Sequence, residues 1–131
     1  MADYQPSSLP PVDSVVVVDI RRVDAKSVGS YMVECGDAPS FALSESDSQR
    51  AAELWRQLPL DEMYRCHTPS FGLRFVRGGE VIVQASVCFK CNNIFGDQRG
   101  ENICYVFDSQ SPVAQELLQL CREATGIEQP T

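Results

Sequence analysis

The stretch Phe71-Gly72-Leu73-Arg74-Phe75-Val76-Arg77-Gly78-Gly79-Glu80-Val81-Ile82-Val83-Gln84-Ala85-Ser86-Val87-Cys88 decides how this chain folds. Phe71, Leu73 and Phe75 alternate before the glycines, and Val81, Val83, Ala85 and Val87 alternate after them. That is the period of two required of strands with one buried face. A three-residue loop with Gly79 in the left-handed conformation predicts a hairpin that pairs Phe75 with Val81 and Leu73 with Val83. This register keeps both apolar sets together, whereas a slip of one residue separates them.

Other elements follow on either side. Asp13 to Val23 reads as a strand with Val16, Val18 and Ile20 on one face, and Tyr31, Val33 and Cys35 alternate in a second. Ser46 and Gln49 have capping-box spacing ahead of Ala51, Ala52, Trp55 and Leu58, and Pro59 ends that helix. Ile103 to Phe107 predicts a further strand burying Ile103, Tyr105 and Phe107. Ser111-Pro112 opens a helix with the stripe Val113, Leu117, Leu120 and Ala124, closed by Gly126. The order ββαβββα predicts an α+β fold: an antiparallel sheet of about five strands with two helices packed on one face. Residues 1–12 hold three prolines and two serines and predict a flexible arm, 13–126 a single domain and 127–131 a tail.

The chain has 131 residues, 44% hydrophobic and 22% charged. Those values exclude collagen-like, low-complexity and disordered classes. The longest aliphatic run, Val15 to Val18, is far short of the roughly 20 residues that span a bilayer. No apolar segment near Met1 resembles a secretory leader, so the expected compartment is the reducing cytoplasm. Eighteen acids against eleven bases give a net charge of −7, and Arg21-Arg22 is the only basic doublet. Nucleic acid and anionic membranes are therefore disfavoured as partners, while a cationic protein is favoured.

Six cysteines stand at positions 35, 66, 88, 91, 104 and 121. Cys35 and Cys121 fall on apolar faces and read as small buried hydrophobes. The expected hairpin brings Cys66-His67 beside Cys88-Phe89-Lys90-Cys91, with residue 68 opposite Cys88. Cys66, His67, Cys88 and Cys91 are thus candidate ligands for a structural zinc, with Cys104 as a substitute. The spacing is only half of a strong zinc signature, and adjacent residues such as 66 and 67 point apart on regular backbone. Unliganded thiols, or a disulfide from Cys66 to Cys88 or Cys91, stay open beside zinc. Thioredoxin-like chemistry is not expected, because the C-x-x-C pair ends a strand instead of beginning a helix.

His67 is the only histidine, and no residue to orient it is legible. The motifs H-E-x-x-H, G-x-S-x-G and G-x-G-x-x-G do not occur, and Gly78-Gly79 is a turn rather than a phosphate cradle. Arg74, Arg77 and Lys90 predict a small basic patch on the sheet's open face. The sequence predicts a small acidic, non-enzymatic interaction module, inhibitor- or immunity-like, for a basic protein partner. The partner is expected on the sheet face away from the helices or on an acidic surface. The alternative is a metal- or redox-active thiol protein using Cys66, Cys88 and Cys91.

Overall fold

The computed structural model describes residues 4–61 and 67–128. Its sheet strands are β1 (Ser14–Asp19), β2 (Ser40–Ala42), β3 (Phe71–Arg77), β4 (Glu80–Cys88), β5 (Asn93–Gln98) and β6 (Glu101–Val106). They form one six-stranded sheet in the order β2-β1-β3-β4-β5-β6, antiparallel throughout. The helices are α1 (Tyr31–Glu34), α2 (Glu45–Arg56) and α3 (Pro112–Thr125), with a short 3-10 turn at Pro6–Ser8. The fold is α+β, with α2 and α3 lying against one another on one sheet face.

The central hairpin forms where alternation places it, but its register differs. Gly78 and Gly79 both have positive φ, 58° and 79°, and make a two-residue turn that pairs Arg77 with Glu80. Such a turn matches the natural strand twist. A bulge between Phe75 and Val76 then inserts Ile82, so Phe75 faces Val83 and Leu73 faces Ala85. Val83, Ala85 and Val87 are buried with Phe71, Leu73 and Phe75, while Val81 lies before the bulge and is exposed. The carbonyl of the inserted Ile82 accepts the Arg99 N–H at 3.1 Å.

Two predicted elements change. The segment read as a strand at residues 31–35 is the single helical turn α1. Glu34 reaches back to accept the Lys26 N–H at 3.1 Å, which ties the turn to its own approach loop. Met32 then lies over Gly72, where a Cβ would stand 2.2 Å from its sulfur. The strand formed in this region is instead β2, where Phe41 pairs with Val17. The second change is β5, whose Asn, Gly and Asp residues give little strand signal. It forms because β4 and β6 pair on both sides of it, and Gly96 lets β4 approach closely. A Cβ on Gly96 would lie 2.0 Å from the Gln84 carbonyl oxygen.

The α2 cap is Ser44, whose Oγ accepts the Asp47 N–H at 3.1 Å, one half-turn before the expected Ser46. Glu45 and Asp47 sit in the first turn, where the helix dipole favours acids. For α3 the cap Ser111, the first-turn Pro112 and the left-handed Gly126 all appear as predicted. Its buried face is Ala114, Leu117, Leu118 and Cys121, rotated from the expected stripe. Val113, Leu120 and Ala124 are only partly buried at the margin of the core.

Residues 4–12 do not form a loose arm. Tyr4, Leu9 and Val12 are buried, Trp55 Nε1–H donates to the Tyr4 hydroxyl at 2.9 Å, and Arg56 donates to the carbonyls of Leu9 and Pro10. Burial raises the Tyr4 phenol to about 12 despite that hydrogen bond. Three prolines favour extended backbone here, and apolar contacts with α2 hold it down. No helix among the described residues is long and apolar enough to cross a membrane.

Gly96→Ala forces a methyl group into the β4 backbone. The expected cost is about 3 kcal/mol or more, measured by chemical denaturation. Retention of wild-type stability would show that β4 and β5 do not approach this closely.

Candidate functional site

The cysteine pair lies in the turn between β4 and β5, which Cys88 and Asn93 close as a cross-strand pair. Asn92 takes the left-handed conformation at φ 63°, as its side chain type tolerates. The Cys91 N–H donates to Cys88 Sγ at 3.2 Å, and Thr68 Oγ1 lies 3.9 Å from the sulfurs of both Cys88 and Cys91. The expected meeting of the 67–68 loop with the turn therefore occurs, though the hairpin register is shifted by two residues. Cys88 is a buried free thiol, whereas Cys91 is disulfide-bonded. A sulfur in a disulfide is not the thiolate that zinc requires. Cys66 lies outside the described residues.

His67 bonds to oxygen atoms rather than to sulfur. Its Nδ1 lies 2.6 Å from Asn93 Oδ1 and its Nε2 2.6 Å from Ser86 Oγ, so both ring nitrogens are engaged. The ring meets Phe95 edge-on at 4.8 Å between centroids and Tyr31 at 5.5 Å. Cys104 is exposed on β6, opposite Phe95, and two strand spacings from β4, roughly 10 Å. No group of three or more His, Cys, Asp or Glu among the described residues is arranged to hold a metal.

Ser86, His67 and Asn93 form a chain of hydroxyl, imidazole and amide that sequence spacing did not show. Pairing made it: Ser86 faces Phe95 and Cys88 faces Asn93, which places Ser86 and Asn93 on one sheet face. The order resembles nucleophile, base and orienting group. Ser86, however, is 0% exposed, and its single hydroxyl hydrogen is directed to the Phe95 carbonyl at 3.0 Å rather than to the imidazole. The cluster is an internal polar pin that fastens the 67–69 loop to β4 and β5. Burial lowers the His67 pKa from 6.5, and the Asn93 hydrogen bond opposes that shift.

The sheet face away from the long helices is covered over β1 and β3, while Asn102 and Cys104 of β6 stay exposed on it. Val18, Ile20, Met32 and Cys35 make a second small core there. Arg74 is part of this cover rather than of a basic patch, donating to Cys35 Sγ at 3.0 Å and to Gln84 Oε1 at 3.4 Å.

An open surface with a defined shape lies at the β2 edge of the sheet. A hollow of about 380 Å³ separates β2 from α3, with Phe41, Leu43, Leu120 and Ala124 as apolar lining and Asp47 and Glu123 as acids. Glu123 also lines a second hollow of about 410 Å³ with Gln119, Arg122, Gly126 and Glu128, so the two adjoin. The apolar lining comes from Phe41 and Leu43 on one side and from Leu120 and Ala124 of α3 on the other, all only partly buried. Sequence periodicity marked Leu120 and Ala124 as apolar stripe, but it could not show that the sheet ends beneath them.

No protein-family model matches the sequence, and no curated protein or solved structure is significantly similar to it.

The pinned histidine gives a stability test. Its lowered folded pKa means the unfolded chain binds the proton first as pH falls. The His67 contribution is complete above pH 6.5 and declines as pH falls below that value. Ser86→Ala is expected to cost about 1–3 kcal/mol at neutral pH. His67→Gln should flatten the stability profile between pH 7 and about 5 relative to wild type. An unchanged slope in a urea-denaturation series would contradict the buried, neutral imidazole.

Proposed function

We propose that this chain is a small acidic, non-enzymatic interaction module that takes a basic protein partner in the cytoplasm, in the manner of an inhibitor or immunity protein. The observation that carries this reading is the hollow between β2 and α3, with an apolar lining and the carboxylates of Asp47 and Glu123. Glu128 extends the acidic character into the adjoining hollow, against the single base Arg122. Apolar surface excludes water at such a contact, and the carboxylates speed and orient the encounter with a cationic surface. A net charge of −7 acts in the same direction and opposes nucleic acid and anionic lipid.

A second reading is favoured by one observation, the disulfide-bonded Cys91 beside the free thiol of Cys88. A thiol protein using Cys66, Cys88 and Cys91 exchanges its sulfur partners with external thiols. Thiol titration of the native chain distinguishes the two. The interaction reading expects no fast-reacting low-pKa cysteine, and rapid labelling at Cys88 or Cys91 favours the thiol reading. Zinc analysis of tag-free protein adds a third outcome: about one zinc per chain restores the metal reading.

For the interaction reading, a partner captured from the native host should bind the triple variant Asp47→Lys, Glu123→Lys, Glu128→Lys about tenfold more slowly than wild type at low salt. The difference should shrink as salt is raised. Equal association rates across the salt series would remove the acidic surface from the contact.

A further inference from the structure

We infer that the β2 edge is a strand-addition site for an extended segment of a partner protein that carries an apolar residue and a lysine or arginine two positions apart, on one face. The inference rests on the interaction reading above and names its mode of contact. The backbone supplies the first argument. Asp19 N–H donates to the Pro39 carbonyl at 2.8 Å and Leu43 N–H to the Val15 carbonyl at 3.0 Å. Phe41 pairs with Val17 between these two bonds. Antiparallel alternation then turns the N–H and C=O groups of Ser40 and Ala42 away from β1. β2 stands at the end of the sheet order, and Ser40 and Ala42 are both exposed. An incoming strand finds backbone donors and acceptors already aligned.

The second argument is what stands beside that edge. The hollow lined by Phe41, Leu43, Leu120 and Ala124 opens on the helix side of β2. A seventh strand would direct every second side chain toward α3, so an apolar residue enters the hollow and its neighbours face solvent. Asp47 and Glu123 line the same hollow and select lysine or arginine two residues from the apolar one, on the same face of the incoming strand. Charge also decides between possible occupants. A second copy of the chain would bring another −7 to the acidic site, whereas a basic segment neutralises it.

The test uses the full chain and a capped decapeptide with threonine at every odd position and valine and lysine by turns at the even ones, followed by amide chemical-shift mapping. The expected result is perturbation of Ser40, Ala42 and the α3 segment Leu120 to Ala124. Ala42→Pro removes the outward N–H, and proline is tolerated on a sheet edge. It should weaken the peptide about tenfold or more while shifts elsewhere stay those of wild type. A peptide methylated at alternate backbone nitrogens should show loss of the same size in one of its two methylation phases only. If Ala42→Pro and both methylated peptides bind as tightly as their parents while Glu123→Lys still weakens binding, strand addition is wrong and the acidic contact survives. Equal binding of the same peptide with glutamate in place of lysine, or concentration-dependent self-association through β2, overturns the basic segment as occupant. Absence of any shift at millimolar peptide overturns the edge site, and the charge-reversal kinetics then judge the interaction reading separately.

Discussion

The structure depends on covering both faces of β1, β3 and β4. Val15, Val17 and Val18 are fully buried, yet they point to opposite sides of the sheet. Helices α2 and α3 cover one side with Trp55, Leu54 and Leu117. The other side is covered by the loop that carries α1, with Met32 seated over Gly72. Each fully buried valine contributes about 1.5–3 kcal/mol relative to exposure, so neither cover is dispensable. The continuous valine run in β1 is the composition that such two-sided burial demands.

This constraint determines where function can sit. With β1 and β3 covered on both faces, the open surface lies over β5 and β6, at the sheet's edges and at the rims of its helices. The polar groups enclosed by the cover, Ser86, His67 and Asn93, satisfy one another and fix the loop before β3. A hydroxyl and an imidazole in hydrogen-bonding contact are insufficient for catalysis when the hydroxyl has no access to a substrate. The acidic hollow has the opposite character: exposed, partly apolar, and bounded by an edge strand.

Part of the candidate site was legible in the sequence. The hairpin alternation was enough to bring residues 67–68 to the C-x-x-C turn, because a register error of two residues preserves which ends of the strands meet. The roles within that cluster were not legible. His67 engages Ser86 and Asn93 rather than sulfur, since cross-strand partners depend on β5, a strand with weak local propensity. The hollow was half visible. Leu120 and Ala124 stood out at helical spacing, but their incomplete burial depends on where β2 ends the sheet.

Local chemistry alone determined the elements with strong periodicity and marked ends. Helix α3 is bounded by Ser111, Pro112 and Gly126, and the β3–β4 turn by two glycines, because these residues satisfy caps and positive φ without help from distant contacts. Tertiary structure decided whether residues 31–35 would coil or extend, that β5 would exist, and that residues 4–12 would be held against α2. In each of these segments the local preference is weak, and the free energy gained by covering neighbouring apolar surface is larger than the difference between backbone conformations.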